Sequence, residues 1–148
     1  MNMSPVEQGA RGFLSTGIRV SVIPRPESDG RYGRLQAINL ETRKTVWNER
    51  QRAPQTTGVL ATAGGVLFAG ALDRWFTAYN DTDGKTLWRI RLNDVPNSAP
   101  ITYLANGKQY LAVVVGYGGV QPSTFAGLIP EISLPVARSS AIWVFELP

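Results

Sequence analysis

Apolar positions along this chain alternate with polar ones over short stretches or bunch into brief runs, and nowhere recur at the three-and-four spacing of an amphipathic helix. The runs are rich in Val, Leu, Tyr, Phe and Thr. Turn signals separate them. Gly64-Gly65, Asp83-Gly84 and Asn106-Gly107 are pairs that accept the positive φ a tight hairpin needs. The pattern predicts strands near 17–23, 34–40, 44–49, 57–62, 66–71, 75–80, 86–92, 99–104, 109–115 and 141–147. Short strands joined by short links make an all-β chain.

Two of these strand pairs repeat. Residues 34–47 laid over residues 75–88, at an offset of 41, give identity at Ala37/Ala78, Asn39/Asn80, Lys44/Lys85, Thr45/Thr86 and Trp47/Trp88. Ile38/Tyr79 and Val46/Leu87 keep a large apolar residue. A period near 40 with four strands per unit is the signature of a propeller blade. Residues 142–147 repeat the alternation of 35–40 a third time. The expected fold is therefore a partial β-propeller of four-stranded antiparallel blades within one β domain spanning 1–148. Residues 1–52 form a lead-in and a partial blade, and 53–95 the complete blade. Residues 96–148 form a partial blade without its outermost strand, with a long irregular loop over 120–138 that holds Pro122, Pro130 and Pro135.

Composition narrows the chemistry. The 148 residues include no Cys and no His, which excludes disulfides, cysteine nucleophiles and thiolate metal sites, and removes the commonest zinc ligand and the usual base of serine hydrolases. The net charge of +4 is N-terminal: residues 1–52 hold nine Lys/Arg against five Asp/Glu, and residues 53–148 hold six of each. Aromatic residues are not interleaved with the basic ones, so this reads as a solvated face or lead-in and no nucleic-acid partner is expected. The chain opens without a basic segment followed by an apolar run, so no secretory signal is read, and no apolar stretch approaches the roughly 20 residues of a membrane span.

Several motifs have plain structural readings. Trp47 and Trp88 recur at one blade position and are expected to be buried between blades. Asp81-Thr82-Asp83-Gly84 suits a turn, because an EF-hand placed on Gly84 would put Tyr79 and Ile90 at ligand positions. Gly116-Tyr117-Gly118-Gly119 is not followed by the Lys and Ser/Thr of a phosphate loop. Asp73 and Asp94 are expected to serve as hydrogen-bonded loop residues at blade edges.

The linked segments Gly58-Val59-Leu60-Ala61-Thr62-Ala63-Gly64-Gly65-Val66-Leu67-Phe68-Ala69-Gly70, Phe76-Thr77-Ala78-Tyr79-Asn80, Gly84-Lys85-Thr86-Leu87-Trp88, Ala99-Pro100-Ile101-Thr102-Tyr103 and Asn106-Gly107-Lys108-Gln109-Tyr110-Leu111-Ala112-Val113 stand in the order found in a known family. The chain resembles the C-terminal blades of pyrroloquinoline-quinone-dependent alcohol and glucose dehydrogenases over about residues 30–148. The resemblance implies a closed propeller of about eight blades, with a central pocket for the quinone, a calcium ion and a catalytic aspartate. The calcium ligands and the aspartate lie upstream of the matched part, so no residue here inherits a catalytic or metal role. Pyrroloquinoline quinone is the implied cofactor, and the resembled family is largely periplasmic.

Two loops approach the quinone in that family. One often carries a tryptophan and two glycines where this chain has Thr56-Thr57-Gly58. The other often ends in tryptophan where Gly118-Gly119 is followed by Val120. Thr56, Thr57, Gly118, Gly119 and Val120 are the candidate cofactor contacts that the resemblance implies. Without the catalytic blades, the expected role is a non-catalytic quinoprotein-like module. It would associate with itself, as a dimer first and a trimer next, or be completed by missing blades. The alternatives are a portion of a quinone-dependent alcohol or sugar dehydrogenase active only with its missing blades, and a small-ligand- or quinone-binding domain.

Overall fold

The computed structural model describes residues 2–5, 18–116, 125–132 and 140–148. Among the described residues eleven strands run in chain order: β1 (Asn2–Pro5), β2 (Ile18–Ser21), β3 (Gly33–Ile38), β4 (Thr45–Gln51), β5 (Leu60–Ala61), β6 (Val66–Gly70), β7 (Trp75–Asn80), β8 (Thr86–Arg91), β9 (Ile101–Ala105), β10 (Lys108–Gly116) and β11 (Ser140–Glu146). Two single-turn 3-10 helices, Pro26–Ser28 and Ala126–Leu128, accompany them. All ten expected strands are present, and β1 is additional.

The strands form unclosed antiparallel sheets of neighbours in sequence: β1-β2, β3-β4, β5-β6-β7-β8 and β9-β10-β11. This is a partial propeller with one complete four-stranded blade. Turn chemistry sets the hairpins: Gly65, Gly84 and Gly107 all have positive φ, as their places in the turn pairs require. The β3–β4 and β7–β8 hairpins share the device as well as the sequence. Asn39 N–H donates to Lys44 O and Asn80 N–H donates to Lys85 O, while Asn39 Oδ1 accepts from Thr42 N–H and Asn80 Oδ1 from Thr82 N–H.

The two central strands of the complete blade, β6 and β7, are covered on both faces, which explains their near-continuous apolar runs. Phe68, Phe76 and Ala78 face the β9–β11 sheet and join Leu111, Val113 and Val115 in one core, with Phe145 and Trp143 against it. Phe76 stacks between Phe68 and Phe145, at 6.2 Å from each ring. Leu67, Ala69 and Tyr79 point the other way and pack with Leu35 and Trp47 of β3–β4. A third cluster, of Ala53, Ala71, Leu72, Val95 and Ile129, closes the end of the blade where the β4–β5 and β8–β9 connections and the β6–β7 turn meet. Burial of this kind contributes about 25 cal/mol per Å² of apolar surface.

The two repeated tryptophans fare differently. Trp47 reaches from β4 to the β7–β8 turn, where its Nε1 donates to Asp81 O at 2.7 Å. Trp88 stands on the outermost strand and is 40% exposed, so its expected burial is corrected. It meets Phe145 edge-on at 5.3 Å.

Candidate functional site

Thr56 and Thr57 lead into β5 at the end of the blade closed by the third core cluster. Thr56 N–H donates to Gly70 O at 3.0 Å, and its hydroxyl donates to Pro96 O at 2.5 Å, so its single hydroxyl proton is committed to backbone. Thr57 Oγ1 accepts from Gly70 N–H at 2.8 Å and keeps its own proton for another acceptor. A Cβ on Gly70 would stand 2.5 Å from Pro96 Cγ and 2.9 Å from Thr57 Cγ2, so only glycine lets the three segments close up.

The next blade repeats this arrangement. Asn97 N–H donates to Val114 O at 3.1 Å, and Ser98 Oγ accepts from Val114 N–H at 3.0 Å. Thr57 and Ser98 are again separated by 41 residues, so a hydroxyl at this position ties each inner strand to its neighbour. Ser98 does not stand out in the sequence, because a hydroxyl shared between Thr and Ser leaves no identity to align. Gly118, Gly119 and Val120 lie outside the described residues.

The two blade-edge aspartates are loop residues. Trp75 N–H donates to Asp73 Oδ1 at 3.3 Å, and Val95 N–H donates to Asp94 Oδ1 at 2.7 Å. Burial pushes the Asp73 carboxyl above its ordinary range, against the opposing pull of the Trp75 N–H and of Arg91 and Arg89. Among the described residues no three acidic side chains come together as a metal site. Nor does any described helix have the length and apolarity to cross a membrane.

Arg52 is a junction that sequence reading did not single out. It pairs with Glu131, donates to Gly30 O and Leu128 O, and stacks over the Tyr32 ring at 5.0 Å. The hydrogen bond from Arg52 holds the Glu131 carboxyl below its usual range and raises the guanidinium in turn. The clamp fixes residues 125–132 against residues 22–32. Between them and the β3–β4 sheet a cleft of about 420 Å³ remains, floored by Arg34, Asn48 and Arg50. Arg50 Nη2 is engaged there with Glu27 O and Ser28 O.

Residues 7–111 match the family described as the glucose/ethanol/alcohol dehydrogenase β-propeller domain of PQQ proteins. The chain is 38% identical over 136 residues to the quinoprotein ethanol dehydrogenase of Pseudomonas aeruginosa, covering 92% of this chain and 21% of that protein. The chain thus spans about a fifth of the length of the curated relative. Among solved structures it is similar to a europium-containing methanol dehydrogenase, with TM-score 0.67 and 31% identity over 80% of this chain and 24% of that one. It is also similar to the quinohemoprotein alcohol dehydrogenase of Comamonas testosteroni, with TM-score 0.56 and 37% identity over 59% of this chain and 13% of that one.

Proposed function

Because the chain belongs to the quinoprotein glucose/ethanol/alcohol dehydrogenase β-propeller family, we propose that it serves as a set of scaffold blades of an alcohol dehydrogenase, catalytically silent until further blades join it. The observation that carries this reading is the outer face of the β9–β11 sheet. Its inner face, Leu111, Val113 and Val115, is buried, whereas Ile101, Tyr103, Val114, Ile142 and Val144 on the other face are exposed, Ile142 at 68%. An apolar sheet face of this kind suits a neighbouring blade, as the Phe76 face suits β9–β11.

In the assembled propeller, bound pyrroloquinoline quinone supplies the redox chemistry. This chain's part is to border the quinone through Thr56, Thr57, Gly118, Gly119 and Val120. Of the two threonines, Thr57 retains a hydroxyl proton to offer, and Thr56 acts by holding Pro96 in place.

The test is complementation. The chain alone, with quinone, calcium and an artificial electron acceptor, should show no heat-sensitive alcohol oxidation. Mixed with a polypeptide carrying the remaining blades of a quinoprotein alcohol dehydrogenase, it should form a stoichiometric complex and restore turnover. Turnover by the chain alone overturns the proposal. The same exposed face also favours a second reading, self-association with a dimer ahead of a trimer. Light scattering over a range of concentrations separates the two, because a concentration-dependent oligomer that takes up no added blades supports only the second. Quenching of tryptophan emission by quinone added to the chain alone would instead mark it as an independent ligand-binding domain.

A further inference from the structure

We propose that the cleft between residues 22–32, residues 125–128 and the β3–β4 sheet binds a small organic carboxylate, at a site separate from the strand starts at Thr56 and Thr57 and independent of the function proposed above. Arg25, Arg31 and Arg34 line the cleft, and none of their guanidinium groups has an ion-pair or hydrogen-bond partner among the described residues. The lining contains one acidic residue, Glu27. Arg50 is spent differently: it holds the Glu27 and Ser28 carbonyls and lies 3.9 Å from Asp29. Three guanidiniums with no counter-charge among the described residues, gathered in one concavity, form a focus of positive potential.

The remaining walls decide which anion fits. Tyr32, Phe125 and Leu128 are half-buried and bring an aromatic and aliphatic surface to the same space. The Arg52 clamp makes that wall part of the fold, because it ties Tyr32, Leu128 and Glu131 together. The volume of about 420 Å³ falls in the range of small-molecule sites. A compact inorganic anion would satisfy the arginines and leave the apolar wall wet, and a neutral alcohol would do the reverse. A carboxylate on an aromatic or short aliphatic body uses both, and a guanidinium meets a carboxylate with two parallel hydrogen bonds.

The test is an NMR titration of the full chain with benzoate, with benzyl alcohol and sulfate in parallel. Benzoate should bind saturably and perturb Tyr32 and Phe125, and neither of the other two should compete with it at equal concentration. Arg34→Gln should weaken benzoate about tenfold, as expected for loss of one charge-assisted contact. Arg43→Gln, which removes the same charge at the β3–β4 turn, should leave binding unchanged. Phe125→Ala should weaken benzoate without creating affinity for sulfate. Absence of saturable benzoate binding, equal binding of sulfate, or equal losses in Arg34→Gln and Arg43→Gln would each overturn the proposal.

Discussion

The indole of Trp47 lies directly on Gly84: a Cβ at Gly84 would stand 2.6 Å from Trp47 Cε3, and Gly84 has a φ of +73°. One residue closes the β7–β8 turn and at the same time makes room for the preceding sheet. Gly84→Ala should therefore destabilise the chain by about 2–4 kcal/mol, combining overpacking with an unfavourable left-handed backbone. In a Trp47→Ala background the cost should fall to the backbone part, about 1–2 kcal/mol. Urea denaturation of the four proteins of the cycle measures the difference, and strict additivity would refute the contact.

The two repeat tryptophans should separate in the same assay. Trp47→Ala loses an inter-sheet contact and the bond to Asp81 O, and should cost about 3 kcal/mol. Trp88→Ala removes a 40% exposed ring with one edge-on partner, and should cost about 1 kcal/mol. Equal losses would mean that Trp88 has a covering not seen in this arrangement.

Thr57→Val leaves the buried Gly70 N–H without its acceptor and should cost about 1–3 kcal/mol. Ser98→Ala deprives Val114 N–H in the same way, but Val114 is 39% exposed and water can replace the hydroxyl, so a loss below about 1 kcal/mol is expected. Hydrogen exchange at the two amides reads the difference directly. Exchange should rise sharply at Gly70 and modestly at Val114.

Asp73 gives a pH dependence of definite sign. Its carboxyl is held above the ordinary value of 3.8 by burial, so from that value upward the folded state binds more protons than the unfolded one. Stability contributed by the protonated form is present below 3.8 and is lost as pH rises through the folded value. Asp73→Asn keeps an acceptor for Trp75 N–H and removes the titration. The variant should match the parent in acid and exceed it at neutral pH. Parallel pH–stability curves would rule out the assignment.

Strand positions were legible in the sequence wherever a glycine turn and a two-faced apolar run coincided, as between Val66 and Arg91. β1 was not, since Asn2–Pro5 has neither alternation nor a turn signal and pairs with a strand many residues away. Trp88 misled because repetition records a position in a blade, while burial depends on what stands opposite. Thr56 and Thr57 were noticed through resemblance alone. Their bonds to Gly70 and Pro96 join segments far apart in the chain, which no local pattern reveals. The arginine cleft was hidden for the same reason. Arg34 belongs to one sheet, Arg25 to the segment before it and Phe125 to a distant turn.

The β3–β4, β5–β8 and β9–β10 pairings join neighbours through tight turns, so they have low contact order and form early, while β11 reaches β10 only across residues 117–139 and comes late. All four strands of the β5–β8 sheet exist once Arg91 is made, yet Phe76 is capped only when Phe145 arrives. A chain growing on the ribosome therefore passes through an interval in which the blade's strands can pair and one broad aromatic face is bare. The length of that interval is set by translation and docking, and during it the nascent blade is most exposed to chaperones and to other unfinished chains.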